Sequence, residues 1–110
     1  REANAFAAEL LMPSKRVRKE FLSRFSRVID LSADAQSIAE WAGPSISSGF
    51  DPLEYSTLDV NGKCAVVAQI CVIQDRHFHS MADSFEVSSM AMGIRLKELG
   101  LILKDGQRVR

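Results

Sequence analysis

"HSMADSFEVSSMAMGIRLKELGLI", residues 79–102, reads as two short amphipathic helices and decides the fold class. Met81, Ala82 and Phe85 fall on one side of the first, Glu86-Val87 makes a turn, and Ser88 is placed to cap the second, which ends at Gly100. On a helical wheel Ala91, Met92, Arg95, Leu96 and Leu99 share one face, expected to pack inward. Met90, Gly93, Ile94 and Lys97 lie opposite and are expected to face outward. The pattern is that of a helix-turn-helix-like pair. Arg95 on the packed face requires a carboxylate or a backbone carbonyl, because an unpaired buried charge is costly, and Asp83 is the candidate partner. Past Gly100, "LKDGQRVR" from Leu103 reads as an exposed basic tail.

Upstream, the helical period persists. "REANAFAAELLMP", residues 1–13, is apolar on nearly every side, with Phe6, Ala7, Leu10 and Leu11 on one face and Pro13 as its stop. A helix of that kind belongs inside a larger body, so the expectation is that further residues precede Arg1 or that a second copy covers residues 1–13. Ser14 is placed to cap the next helix, whose apolar positions Val17, Phe21, Phe25 and Val28 keep helical spacing. Lys15, Arg16, Arg18, Lys19, Arg24 and Arg27 occupy much of its remaining surface against one acid, Glu20. A solvated face is the ordinary reading of such a basic helix; contact with nucleic acid or an acidic partner is the functional one. Ser32 then opens a short helix through Trp41, with Ala35, Ile38, Ala39 and Ala42 inward and Gly43-Pro44 as its stop.

"GPSISSGFDP", residues 43–52, reads as a loop or linker. The stretch after it admits two structures. Asn61-Gly62 suits a hairpin turn, giving a small β-hairpin around residues 56–68, whereas the long apolar run from Cys64 favours a buried helix from about Gly62 to Ile73. The chain is therefore expected to be mainly α. It divides into helices over residues 1–43, a linker or insertion over 44–76, and the helix-turn-helix-like pair with its tail over 77–110.

Fourteen basic and fourteen acidic residues cancel, which argues against a strongly charged nucleic-acid or membrane partner for the chain as a whole. No apolar run approaches the roughly 18 residues of a membrane span, and two cysteines make no disulfide framework, so a soluble cytoplasmic protein is expected. Cys64, Cys71, His77 and His79 are enough ligands for a zinc site, but they lack a paired C-x2-C knuckle. No H-E-x-x-H, Gly-rich phosphate loop or Ser-His-Asp order is present, so no reaction is expected from these residues alone. Base-edge readout by the outward face of the last helix would rest on Lys97.

Two pieces together resemble a known family. "REANAFAAELLMP" and "MADSFEVSSMAMGIRLKELGLI" are similar to the signature helix, and to the helical pair commonly found after it, in the ImmA/IrrE zinc metallo-endopeptidases and repressor-directed regulators. The first piece is the more specific, through Glu2, Asn4, Phe6, Ala8 and Leu10-Leu11-Met12-Pro13; the two cover about a third of the chain, and Ser14 to Phe78 matches loosely. The resemblance implies an upstream H-E-x-x-H that binds zinc and polarises water. It also implies a third ligand on the signature helix, a glutamate just before Arg1 or else Glu2, with Asn4 orienting it. Zinc is thus expected in the intact protein and not in this chain by itself.

The resemblance further implies a partner: a transcriptional repressor or other protein substrate, cleaved under stress or on induction of a mobile element. Lys15, Arg16, Arg18, Lys19 and Lys97 are the candidate contacts for a partner or for nucleic acid. A helix-turn-helix DNA-binding module, or an oligomerisation module in transcription regulation, is the alternative reading.

Overall fold

The computed structural model describes residues 10–46 and 55–103. Its architecture is mainly helical, with two pairs of very short strands. Helix α1 spans Ser14–Phe25 and strand β1 Ile29–Asp30, followed by α2 (Ala35–Ile46) and α3 (Val60–Gln69). A hairpin of β2 (Val72–Ile73) and β3 (Arg76–His77) leads to α4 (Met81–Ser84), α5 (Ser89–Glu98) and β4 (Ile102–Leu103). A continuous cluster of buried side chains runs from Met12 to Ile102 and draws on every one of these helices. It includes Val67 and Ile70 from the stretch read as a linker, 44–76.

Helix α1 buries Val17, Phe21 and Phe25, as its period requires. Pro13, not Ser14, occupies the N-cap, and it contributes no side-chain cap. Ser14 instead turns its hydroxyl to Arg95. Ser32 does not open α2, which begins at Ala35; in the turn before it the Asp30 carboxylate accepts from Ser32 N and Ala33 N at 2.9 Å each. Ile38, Ala39 and Ala42 face the core as expected. Gly43-Pro44 does not stop this helix, since Pro44 lies inside it. Glu40, whose carbonyl Pro44 leaves without its helical donor, is exposed to water. One turn on, Ser45 Oγ donates to Trp41 O at 2.8 Å and accepts from Cys71 N and Val72 N, tying the end of α2 to β2.

Of the two structures this stretch admits, the buried helix forms and the small hairpin around residues 56–68 does not. Asp59 caps α3 by accepting from Gly62 N at 2.8 Å, so Asn61-Gly62 sits in a helical first turn. Burial of Cys64, Ala65, Val66, Val67 and Ala68 then outweighs the strand preference of the valines. The helix ends at Gln69, short of Ile73, and an antiparallel hairpin follows, pairing Val72 with His77 and Ile73 with Arg76 around a left-handed Gln74.

Strands β1 and β4 pair in parallel, Ile29 with Ile102 and Asp30 with Leu103, so Leu103 belongs to the fold instead of a free tail. Residues 104–110 lie outside the described residues. No helix among the described residues is long and apolar enough to cross a membrane.

Candidate functional site

Ser80 and Ser88 cap α4 and α5 by accepting from Asp83 N and Ala91 N, and Gly100 takes the left-handed conformation after α5, so the helix-turn-helix-like pair folds where its punctuation places it. Helix α4, however, is a single turn. The two faces of α5 differ from the expected division. Gly93, expected outward, is buried against α3: a Cβ built there would stand 2.7 Å from Cys64 C and 2.8 Å from Ala65 N. Lys97 turns the same way and donates from Nζ to Asn61 Oδ1 at 2.9 Å. Of that face only Met90 is exposed, at 47%, leaving few side chains able to reach a base edge.

The packed face carries Met92, Leu96 and Arg95. Arg95 Nε donates to the carbonyl of Met12 at 3.1 Å, Nη2 to Ser14 Oγ at 3.3 Å, and Nη1 lies 3.8 Å from Glu98. The buried guanidinium thus finds a backbone carbonyl, not the exposed Asp83 suggested by the sequence. This ties helix α5 to residues 12–14, just ahead of and at the start of α1. Met12 is buried there, while Leu10 and Leu11 remain 68% and 61% exposed. Glu2 and Asn4 lie outside the described residues.

The basic helix divides by role. Lys15, Arg16, Arg18 and Lys19 are exposed; Arg16 lies over the ring of Phe85 at 4.9 Å, and the other three form no ion pair among the described residues. Arg24 is buried and holds three groups, donating to His79 O, to the Glu20 carboxylate at 2.7 Å and to Ser84 Oγ at 2.7 Å. Sequence reading grouped Arg24 with the surface cations, although three residues past Phe21 and seven past Val17 it falls on the apolar face. Arg27 pairs with Asp34 at 2.6 Å.

The Arg24 hydrogen bond holds the Glu20 carboxyl below the usual carboxylate range, with Arg16 and Lys19 adding to the effect. Cys64 is buried, and burial raises its thiol above the ordinary value. Cys71, His77 and His79 lie in and beside the hairpin, and among the described residues no three His, Cys, Asp or Glu side chains gather as metal ligands. Comparison with known proteins adds no relative: no family model, no curated protein and no solved structure matches the chain.

Proposed function

We propose that this chain is the C-terminal portion of an ImmA/IrrE-like zinc metallo-endopeptidase of the cytoplasm, non-catalytic by itself, which braces the metal-bearing helix and contacts a protein partner such as a transcriptional repressor. The observation that carries this reading is the Arg95 clasp on Met12 O and Ser14 Oγ, because it joins the signature run to the helical pair, as a shared structural role would require. The exposed Leu10 and Leu11 support it by leaving apolar surface at the end of that run for another element to cover. In this reading Glu2, or a glutamate just before Arg1, completes the zinc ligands and Asn4 orients that ligand. Zinc, when bound, supplies Lewis acidity toward water. The chain's own residues supply position, since Arg95 fixes where the signature run ends.

Metal analysis of the complete protein, produced with all residues encoded before Arg1, tests the proposal. The expected result is bound zinc, with Asn4→Ala weakening zinc affinity about tenfold or more. A complete protein that purifies and refolds without taking up zinc overturns it.

Self-association is the second reading, favoured by the same exposed leucines. Light scattering that finds a dimer dissociated by Leu10→Lys and Leu11→Lys supports it; a monomer at all concentrations removes it. Duplex binding draws less support, because Lys97 is tied to Asn61 and Gly93 is buried against α3.

A further inference from the structure

A cleft of about 480 Å³ opens between α1 and the hairpin, walled by Glu20, Ser23 and Arg24 on one side and Arg76, His77 and Phe78 on the other. The Phe78 ring is flanked by two guanidinium groups, Arg24 at 5.6 Å and Arg76 at 5.7 Å from its centroid. They are not equivalent. Arg24 is held on all three nitrogens. Arg76 donates one Nη2 bond, at 2.8 Å, to the Arg24 carbonyl at the end of α1, and its Nε and Nη1 have no partner among the described residues.

Charge at the cleft is lopsided. Its one carboxylate, Glu20, is occupied by Arg24. The fields of Arg16 and Lys19 reach the same point, because both lower the Glu20 pKa. On the exposed face of α1, Lys15, Arg18 and Lys19 continue the positive surface, and Leu22 is an exposed apolar neighbour one turn beyond Arg18 and Lys19.

We infer that this cleft and the adjoining face of α1 form a docking surface for an acidic peptide segment that carries an apolar or aromatic side chain beside its carboxylates. The free edge of Arg76 is a planar fork suited to a carboxylate, Phe78 offers a ring for the apolar side chain, and Lys19 and Lys15 receive the following acids. The volume suits one or two side chains. A nucleic-acid strand fits less well. It requires a run of phosphate contacts, yet the cleft contains a carboxylate and the chain's charges cancel overall. The inference does not depend on the metallopeptidase reading.

Fluorescence anisotropy of the full chain with a fluorescein-labelled peptide of repeated Glu-Glu-Phe tests it. The expected result is saturable binding that weakens about tenfold or more with Arg76→Ser, severalfold with Lys19→Glu, and about tenfold when glutamine replaces glutamate in the peptide. The Lys19 side chain makes no bond among the described residues, so Lys19→Glu keeps the test valid if Arg76→Ser loosens the hairpin, which circular dichroism would reveal. Absence of binding, equal binding of the glutamine peptide, or equal binding by Lys19→Glu overturns the inference. So does a duplex oligonucleotide that binds more tightly than the peptide and is lost with the same substitutions.

Discussion

Helix α5 meets α3 through Gly93, a residue with no side chain, and meets residues 12–14 through Arg95, which has one of the longest. On the α3 side, contact is backbone against backbone, with Cys64, Val67 and Ala68 filling the space around it. Dispersion and water exclusion act there over a close-packed area that tolerates no added atom. On the N-terminal side the contact is a polar clasp at 3.1 Å, repeated in kind by Arg24 between α1, His79 and Ser84. A clasp fixes direction and leaves room around it, and Leu10, Leu11 and Leu22 stay exposed near the arginines. The difference teaches that the α3–α5 pair supplies stability, while the arginine-held side supplies a positioned surface.

The sharpest way to break this contrast is Gly93→Val. Because the new side chain meets backbone atoms of Cys64 and Ala65, urea unfolding should show a loss of about 3 kcal/mol or more. An unchanged midpoint would mean the helices are not in close contact. Arg95→Met should cost less, about 2 kcal/mol, by leaving the Met12 carbonyl without its donor. Hydrogen exchange should also show faster amide exchange at the start of α1 with α3 unaffected; equal acceleration in both would erase the distinction between the two sides.

Titration separates the regions again, with opposite signs. Burial raises the Cys64 thiol and the Tyr55 hydroxyl above their ordinary values of 9.0 and 10.0. Both groups stay protonated in the fold while the unfolded chain ionises, so their contribution is fully present below about pH 9 and is lost as pH rises beyond it. Glu20 is lowered from 4.5 by Arg24, so its contribution is present above that value and is lost as pH falls through the folded pKa. Urea midpoints across pH should therefore lose their alkaline fall partly in Cys64→Ala and part of their acid fall in Glu20→Gln. The smallest effect is expected for Lys97→Met, about 0.5 kcal/mol or less, since the half-buried stem is retained and one bond to Asn61 is lost.

Local signals were legible. The cap at Ser88, the left-handed Gly100, and the inward Val17, Phe21 and Phe25 all follow from hydrogen bonding or periodicity within a few residues; the cap at Ser80 was not read from the sequence. Gly43-Pro44 misled because a proline's missing donor matters little where water can reach the freed carbonyl. At Asn61-Gly62 the turn preference gives way to the Asp59 cap and the buried run after it, so of the two readings the helix holds, though it ends short of Ile73. The surface lysines of α1 were recognised; the cleft beside them was not, since it needs Arg76 and Phe78 from a hairpin more than fifty residues away in the chain.

The sequence by itself determined a mainly helical chain, the ends of its last two helices and the amphipathic character of α1, because each depends on backbone groups and side chains within a turn or two of one another. Only the tertiary structure decided that Ile29 pairs with Ile102, that Gly93 faces inward and that Arg95 holds Met12. Those contacts link positions far apart in the chain. They form only once the whole core has closed and removed water from the surfaces that bring them together.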